Sequence, residues 1–490
     1  MIDDGPAIAA LLVATVLLDR LIRPRPPATR GLAGRSRAGT WLLACMVLAL
    51  QGLFVALCGS GLVAACMVLA VQAVLVVASN AKHAVLGEPL LFSDLALIRG
   101  IVSHPQFYWS AVPVWQRIAA ALAVCALIAT LARLFVPDPA AHVAGLALCG
   151  LGMALLWLTL RLPSCRALMT RPDAAGDVDR HGLAPTLLLY WLRWRRTPDP
   201  LPCTDVPRLP VAVPAPELIV IVQCESFADP VELFADPLLA LPALEQARAD
   251  AWQWGRLQVS GFGAYTMRAE YGVLWGREES ALGFRRYDPF LTATGEGSYA
   301  LPRRLPAWRS LFLHPHDLRF YGRDRIMPAA GFDALLGETH FAPPPAGGGR
   351  YVTDAAVADA ILAEACAATG PSLFYAVTIE NHGPWAPDDL GETPDLRGSY
   401  LRLARHGDAM LAQLRSGLAA LRRPALLVFF GDHRPSIPGV AEPGGDRYTP
   451  YVMLRIDAAG QVVSGPNRRA DLTPAGLHHA VLDTVLGSPA

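Results

Sequence analysis

The first third of the chain is a succession of long apolar runs separated by short polar loops. Five runs have nearly the length that crosses the hydrocarbon core of a bilayer: residues 7–22, 41–58, 62–79, 118–135 and 143–160. Charged residues are concentrated between the runs, apart from Asp19, Arg20 and Arg133 near run ends. No ionisable residue lies in the middle of a run, as an ion path would usually require. The pattern predicts a membrane anchor of five transmembrane helices in residues 1–162, and it does not favour a transporter.

The loop after the first run bears on membrane orientation. Between Asp19 and Gly39 it carries six arginines: Arg20, Arg23, Arg25, Arg30, Arg35 and Arg37. The positive-inside rule places such a loop in the cytoplasm, and five spans would then place the C-terminal part there as well. An extracytoplasmic C-terminal part requires that the loop break this rule or that the number of spans differ by one.

Two polar segments adjoin the predicted spans. Lys82 and residues 87–94 are too polar to continue a membrane run and are interpreted as a juxtamembrane loop. Residues 163–216 are rich in proline and arginine and are predicted to form a linker. Within this linker, residues 187–196 mix aromatic residues with arginines, which is typical of a helix at a membrane interface, although a short buried helix is an alternative.

From residue 217 onward, short apolar strands alternate with helical patterns such as residues 357–368 and 400–421. Three of the strands, in residues 218–222, 373–379 and 425–430, are apolar throughout, as expected of strands buried on both faces. The sequence therefore predicts an N-terminal transmembrane helix bundle followed by an α/β domain in residues 217–490 with a largely parallel sheet.

Side chains that can bind metal follow all three buried strands. Glu225 follows the first strand, Glu380 and His382 follow the second, and Asp432 and His433 follow the third. Open α/β sheets place their chemistry beyond the carboxyl ends of the strands. Two carboxylates and an imidazole from this edge would suit Mn²⁺, Zn²⁺ or Mg²⁺.

A nucleophile is suggested by the glycine-rich stretch from Gly261 to Thr266. Glycines permit close approach of the backbone to a phosphate, and Thr266 would stand where the loop enters a helix whose N–H groups face an anion. A bound metal would lower the pKa of its hydroxyl. Taken alone, Thr266 is more often an ordinary helix cap than a nucleophile. His478 and His479, adjacent residues of the last predicted helix, are expected on the solvated surface.

Composition says little about the partners of the protein or its redox compartment. The 490 residues are 53% hydrophobic and have a formal net charge of zero, which gives no support for a nucleic-acid partner. The nine cysteines show no framework spacing, so they do not indicate a redox compartment.

Five motifs occur in the order found in a known family. They are residues 222–227, Thr266 with downstream Glu270, residues 320–324 followed by 331–333, residues 381–384 and residues 431–433. Together with the Lys82 and 87–94 segment, they resemble the lipoteichoic acid synthase and phosphoglycerol transferase family of the alkaline phosphatase/sulfatase superfamily. The resemblance implies a sulfatase-like α/β/α sandwich and a divalent metal, with Mn²⁺ ahead of Zn²⁺ or Mg²⁺.

The resemblance also implies roles for individual residues. The metal ligands would be Glu225, Thr266, Asp432 and His433, with Thr266 also the nucleophile. Catalytic or headgroup contacts would come from His382, Arg323, Tyr321, His316 and Trp385. The implied reaction moves a phosphoglycerol-type headgroup from a membrane phospholipid to a glycan or polymer acceptor through a phospho-threonine, in a multi-pass inner-membrane protein whose catalytic domain is periplasmic or extracellular.

Departures from the family leave alternatives open. Tyr321 and His316 stand where lipoteichoic acid synthases tend to have tryptophan and aspartate, so the headgroup could be phosphoethanolamine, and simple phosphodiester hydrolysis would use the same site. Residues 266–269 lack the Cys or Ser followed two residues later by Pro and Arg that sulfatases convert to formylglycine, so sulfate ester hydrolysis is not expected. A membrane-bound binding protein without catalysis is the alternative from another class.

Overall fold

A computed structural model describes residues 4–25, 34–94, 122, 129, 132–204, 215–344, 349–385 and 395–487. The chain divides into two compact units, Met1–Thr197 and Pro198–Ala490. Each unit is described below by itself.

The first unit is helical. Its described helices span Asp4–Asp19, Arg37–Cys58, Gly61–Leu86, Pro139–Arg161, Pro163–Arg166, Ala174–His181 and Leu183–Arg196. Arg37–Cys58, Gly61–Leu86 and Pro139–Arg161 are long and apolar enough to cross a membrane, whereas the 16-residue helix Asp4–Asp19 is shorter. The span predicted at 118–135 lies outside the described residues except for positions 122, 129 and 132–135.

Two of the membrane-length helices, Arg37–Cys58 and Pro139–Arg161, pack antiparallel at close range. Glycines make this approach feasible, since a Cβ at Gly52 would lie 2.2 Å from the backbone nitrogen of Cys149. Near one end of the pair, Trp41 Nε1 donates to Thr159 Oγ1 at 3.0 Å. Small residues that let backbones meet are the usual basis of helix packing in lipid.

One of the six loop arginines is not a surface charge. The Arg35 guanidinium is buried and donates to Asp19 Oδ2 at 2.8 Å and to the carbonyl oxygen of Val178 at 2.9 Å. Asp19 Oδ1 in turn accepts from the backbone N–H of Leu183 at 3.3 Å. Arg35 therefore fastens the first loop to the Ala174–His181 and Leu183–Arg196 helices, which lie at the same end of this unit.

The second unit contains an eight-stranded sheet in the order β4-β3-β5-β1-β6-β7-β2-β8. In chain order the strands are β1 Leu218–Cys224, β2 Gln253–Gln258, β3 Arg309–Leu313, β4 Ala334–Leu336, β5 Ser372–Val377, β6 Ala425–Gly431, β7 Tyr448–Ile456 and β8 Arg468–Arg469. β4, β3, β5, β1 and β6 run parallel, while β7 is antiparallel to both β6 and β2. The predicted largely parallel sheet is confirmed.

Helices cover both faces of this sheet. The described α-helices are Pro230–Phe234, Pro242–Asp250, Thr266–Trp275, Glu279–Leu282, Pro289–Thr292, Leu301–Arg304, Arg323–Ala330, Asp354–Ala367, Leu396–Ala420 and Pro474–Leu486. Val220 of β1 packs in one core cluster with Ile361 and Leu414. Gln223 points to the opposite face, where its Nε2 donates to the carbonyl oxygen of Thr266 at 3.2 Å. The predicted sandwich of helices around a sheet is therefore present.

The expectation for the histidine pair of the last helix is wrong for His478. Its side chain is fully buried, and Nδ1 donates to the carbonyl oxygen of Val273 at 2.9 Å. The helix Pro474–Leu486 turns this residue toward the helix Thr266–Trp275, whereas His479 is exposed. Burial lowers the pKa of His478 to about 3, so the ring is neutral.

Candidate metal centre and nucleophile

Three side chains that can bind metal converge where β1 and β6 end. β1 and β6 pair in parallel with Cys224 opposite Gly431, so the residues that follow them, Glu225, Asp432 and His433, meet at one edge. His433 Nε2 lies 3.3 Å from Glu225 Oε1 and 3.7 Å from Asp432 Oδ2. One ligand atom from each residue lies within 4.8 Å of the others, a spacing that suits a single metal ion.

Hydrogen bonds fix the two carboxylates. The backbone N–H of Ser226 donates to Asp432 Oδ1 at 2.8 Å, and the Ser226 hydroxyl donates to Glu225 Oε1 at 2.9 Å. The backbone N–H of Glu225 donates to Thr378 Oγ1 at 3.0 Å. Ser226 has φ of +50°, a strained conformation that turns the chain sharply after β1. Apart from their positions near strand ends, nothing in the sequence pattern indicated a role for Ser226 or Thr378.

The donor set fits a divalent cation. Asp432 Oδ2 is buried and accepts no hydrogen bond from any described residue, a costly state for a carboxylate oxygen unless a cation faces it. His433 Nδ1 lies 3.1 Å from the carbonyl oxygen of Arg434. This contact makes Nδ1 the N–H donor and leaves Nε2 for the metal. Two carboxylates and an imidazole suit Mn²⁺, Zn²⁺ and Mg²⁺ alike.

The electrostatics of the three groups reflect their proximity. Burial raises the pKa of Glu225, but the neighbouring His433 outweighs it and brings the value down to about 2. Burial and the Glu225 charge raise the pKa of Asp432 to about 7. Burial lowers the pKa of His433, yet the two carboxylates together raise it to about 9. The carboxylates thus need a positive partner, which a proton on His433 supplies when no metal is bound.

Thr266 stands beside this cluster as the first residue of the helix Thr266–Trp275. Its hydroxyl donates to Glu225 Oε2 at 3.3 Å. Tyr265, immediately before it, has φ of +76°, so the chain turns sharply into the helix. Gly263 has φ of +63°, and a Cβ there would lie 2.3 Å from Ser436 Cβ, so this position of the loop requires glycine. The strained turn presents the Thr266 hydroxyl to the carboxylates.

A second layer holds the helix start in place. The Gln223 side chain, one residue before the end of β1, donates to the carbonyl oxygen of Thr266. Tyr375 of β5 donates to Gln223 Oε1 at 2.7 Å. Both side chains are fully buried. The sequence analysis assigned no role to either residue: Tyr375 lies inside the predicted strand 373–379, and Gln223, although it follows the predicted strand 218–222, is not a usual metal ligand.

Arg323 is buried in a bidentate ion pair. Its Nη2 and Nε donate to Glu270 Oε2 at 2.6 Å and Oε1 at 3.0 Å, and the exposed fractions of the two side chains are 1% and 0%. Arg323 Nη1 lies 3.2 Å from His314 Nε2, while His314 Nδ1 lies 2.9 Å from the carbonyl oxygen of Val377. Most of the Arg323 donors are thus used within the protein, and His314, which the sequence did not single out, fixes one of them.

Three other predicted residues surround the Arg323 segment and the second strand end. Tyr321 has φ of +59°, and the Arg323 guanidinium lies 5.2 Å from its ring centre. The His316 ring lies 5.9 Å from that of His314, and burial lowers its pKa. His382 is exposed, and its Nδ1 lies 2.7 Å from the carbonyl oxygen of Gly383, which leaves Nε2 for a substrate.

Glu380, which follows β5, and Trp385 make their contacts outside the cluster of Glu225, Asp432 and His433. Glu380 accepts from the backbone N–H of Asp354 and contacts His406 Nδ1, both at 2.7 Å, so it is engaged elsewhere. Trp385 is 8% exposed and packs with Tyr400 in a hydrophobic cluster, with Nε1 donating to Asn381 at 3.0 Å. This burial favours a structural role for Trp385 over headgroup binding.

Several known proteins are similar to this chain in sequence. A family model described as Sulfatase matches residues 217–482. The capsular polysaccharide biosynthesis protein RkpI of Rhizobium meliloti (strain 1021) is 31% identical over 427 residues, which cover 82% of this chain and 79% of RkpI. A putative cyclic beta-1,2-glucan modification protein of the same strain is 24% identical over 316 residues, covering 58% of this chain and 48% of that protein.

Two solved structures are similar to this chain to different degrees. The integral membrane lipooligosaccharide phosphoethanolamine transferase A of Neisseria meningitidis has a TM-score of 0.56 at 12% identity, covering 98% of this chain and 95% of its own. The Streptococcus pyogenes phosphoglycerol transferase GacH has a TM-score of 0.44 at 16% identity, covering 59% of this chain and 77% of its own. The first of these supports the fold over nearly the whole chain.

The family model spans more than half of the chain, and RkpI exceeds 30% identity over most of both proteins. These matches confirm the superfamily that the five motifs predicted. The chain therefore belongs to the sulfatase family.

Proposed function

We propose that the protein is a metal-dependent transferase that moves a phosphoglycerol-type headgroup from a membrane phospholipid to a glycan or polymer acceptor. The observation that carries this proposal is the Thr266 hydroxyl, buried at a helix start 3.3 Å from Glu225 and beside Asp432 and His433. A hydroxyl in that position is suited to nucleophilic attack on phosphorus.

The metal centre supplies the activation. A divalent ion held by Glu225, Asp432 and His433, with Thr266 as a further ligand, would lower the pKa of the Thr266 hydroxyl and offset charge on the phosphoryl oxygens. Glu270 and His314 keep the Arg323 guanidinium beside Tyr321, where we assign it to the phosphate or headgroup.

The reaction then has two halves. In the first, Thr266 Oγ1 passes its proton to Glu225, to which it already donates, and forms a bond to phosphorus while the bond to the diacylglycerol oxygen breaks; protonated His382 gives that oxygen a proton. In the second, an acceptor hydroxyl loses its proton to His382 and attacks the phospho-threonine. The bond from phosphorus to Oγ1 breaks, and Thr266 takes its proton back from Glu225. The exposed position of His382 and the free Nε2 support both uses. Tyr321 and His316 are assigned to headgroup recognition.

The acceptor and the location are part of the same proposal. The two Rhizobium meliloti relatives are named for capsular polysaccharide biosynthesis and for cyclic glucan modification, which supports a glycan acceptor. The three membrane-length helices support a multi-pass membrane protein. We place it in the inner membrane with the catalytic unit on the periplasmic side and Mn²⁺ as the metal, in line with the resemblance to phosphoglycerol transferases.

The test is mass spectrometry of the full chain in detergent with Mn²⁺ and either phosphatidylglycerol or phosphatidylethanolamine. We expect a glycerophosphate adduct on the Thr266 peptide together with released diacylglycerol. Thr266→Ser is the matched variant that keeps a hydroxyl, and Thr266→Ala removes it. The adduct should persist in the first variant and disappear in the second.

Other outcomes would change or overturn the proposal. An ethanolamine phosphate adduct would replace the proposed headgroup, in keeping with the phosphoethanolamine transferase whose fold is similar. Release of diacylglycerol without transfer to any glycan would indicate hydrolysis. Neither adduct nor release with either lipid would refute the transferase and favour a binding protein.

A further inference from the structure

The cationic side chains of the first unit are distributed unevenly between its two ends. The Trp41–Thr159 hydrogen bond lies at one end, and the hydrogen bond from the backbone N–H of Val136 to the carbonyl oxygen of Cys58 lies at the other. The described arginines and lysine at the Trp41–Thr159 end are Arg20, Arg23, Arg25, Arg35, Arg37, Lys82, Arg161, Arg166, Arg171, Arg180, Arg193, Arg195 and Arg196. Among the described residues of this unit, only Arg133 lies at the other end.

Some of these cationic side chains form ion pairs within the protein. Arg35 is tied to Asp19, and Lys82 Nζ lies 2.5 Å from Asp94 and 3.4 Å from Glu88. These groups hold chain segments together and leave little charge for a partner. They do not account for the remaining arginines at this end.

Four arginines, which we call the arginine cluster, are exposed on the segment that follows the last membrane-length helix: Arg166, Arg171, Arg195 and Arg196. None of them forms an ion pair with another residue in the part of the chain that the structure describes. Arg193 between them is held by the carbonyl oxygens of Arg166 and Leu168. The cluster therefore stands on an ordered segment and keeps its charge unneutralised.

Aromatic side chains accompany the cluster in the manner of a membrane interface. The Arg195 guanidinium lies 5.2 Å from the ring centre of Trp191, which is 39% exposed. Arg161 lies 3.6 Å from the ring centre of Trp157, which is 53% exposed. Tryptophan and arginine side by side at the end of a hydrophobic span are typical of the headgroup layer.

We propose that the arginine cluster binds the anionic headgroups of phospholipids in the adjacent leaflet. Basic segments next to membrane spans are attracted to anionic lipids, and arginine forms bidentate hydrogen bonds with phosphate. The inference rests on the proposed function in one respect, the identity of the donor lipid. The proposed donor, phosphatidylglycerol, is anionic and would bind the cluster, whereas phosphatidylethanolamine is zwitterionic. The cluster would concentrate the donor at the end of the unit from which the chain runs on to the catalytic unit.

The arginine cluster lies at the same end of the unit as the arginine-rich loop between Asp19 and Gly39 that raised the conflict over orientation. The positive-inside rule assigns an arginine-rich end to the cytoplasm. Headgroup binding explains the four arginines of the cluster but not those of the loop. The binding itself is expected whichever leaflet the cluster meets.

The experiment is native mass spectrometry of the full chain in detergent, titrated separately with phosphatidylglycerol and phosphatidylcholine. We expect phosphatidylglycerol to bind at least tenfold more tightly. Arg195→Gln/Arg196→Gln should weaken phosphatidylglycerol binding by roughly 25-fold, at about fivefold per arginine, and leave phosphatidylcholine binding unchanged. The matched control, Arg402→Gln/Arg405→Gln, removes two exposed arginines from the catalytic unit and should change neither.

Equal binding of the two lipids by the unaltered chain, or equal losses in the two double variants, would overturn the inference. Repeating the titration with Thr266→Ala separates it from the proposed function, since lipid binding should survive loss of the nucleophile. A chain that prefers phosphatidylglycerol but never forms the Thr266 adduct refutes the transferase alone. A chain that forms the adduct but does not prefer phosphatidylglycerol refutes only lipid binding by the arginine cluster.

Discussion

The ion pair between Glu270 and Arg323 allows a quantitative prediction about stability. Both side chains are almost completely buried. Burial raises the pKa of the Glu270 carboxyl even though Arg323 lies against it, so the attraction does not fully offset the cost of removing the charges from water. The pair therefore fixes the position of Arg323 more than it stabilises the fold.

Replacing one partner should be far more damaging than replacing both. Glu270→Ala leaves the Arg323 charge buried without a counter-charge, which costs about 3–5 kcal/mol. At roughly 2 °C per kcal/mol for a domain of this size, the catalytic unit should unfold about 6–10 °C lower. Glu270→Ala/Arg323→Met removes both charges, and its unfolding temperature should lie closer to that of the unaltered protein.

The assay is thermal unfolding of the full chain in detergent, followed by tryptophan fluorescence. Glu270→Gln is the conservative control, because the amide oxygen still accepts one hydrogen bond from Arg323, and it should fall between the other variants. A Glu270→Ala protein that unfolds within about 2 °C of the unaltered one, or a double variant less stable than the single one, would refute the reasoning.

Three further predictions concern the catalytic unit. Burial lowers the pKa of His478 to about 3, so below about pH 6.5 the unfolded chain takes up a proton that the folded chain does not, and the free energy of unfolding should fall from pH 6.5 toward 3. Denaturant titrations at several pH values measure this fall, and an equally steep fall in a His478→Gln variant would exclude this histidine as its cause. Asp432→Asn should lower Mn²⁺ affinity by at least about 100-fold, since losing even an outer partner of a ligand costs about 10–100-fold, and unchanged metal content after dialysis would remove Asp432 from the ligands. Gly263→Ala should lower stability by about 2 kcal/mol or more, because a Cβ would lie 2.3 Å from Ser436 Cβ at a φ of +63°, and an unaltered unfolding temperature would contradict the described turn.

The sequence was most informative where local pattern and fold topology coincide. Strands that are apolar throughout had to be buried on both faces, and their parallel order brings Glu225, Asp432 and His433 to one edge. After β5 the same rule singled out Glu380, which does not belong to the cluster. That strand ends at Val377, so it is Thr378 that contacts the Glu225 backbone, while Glu380 lies further along the chain and is engaged with Asp354.

The remaining features depend on contacts between distant segments, which no local pattern encodes. Arg323 and Glu270 are 53 positions apart, and only the folded chain brings them into bidentate contact. The burial of His478 against Val273 depends on how two helices pack. The antiparallel edge formed by β7 and β2 likewise follows from pairing across the sheet, not from the composition of either strand.

The glycine contact between Arg37–Cys58 and Pro139–Arg161 has a consequence for how the membrane unit is assembled during synthesis. Gly52 meets the backbone of Cys149, so the second half of this contact leaves the ribosome only after nearly a hundred further residues. Until then the Gly52 side of Arg37–Cys58 lacks the helix that packs against it in the finished unit. The insertion machinery must therefore keep that helix from dimerising with another newly made copy until the last hydrophobic segment arrives.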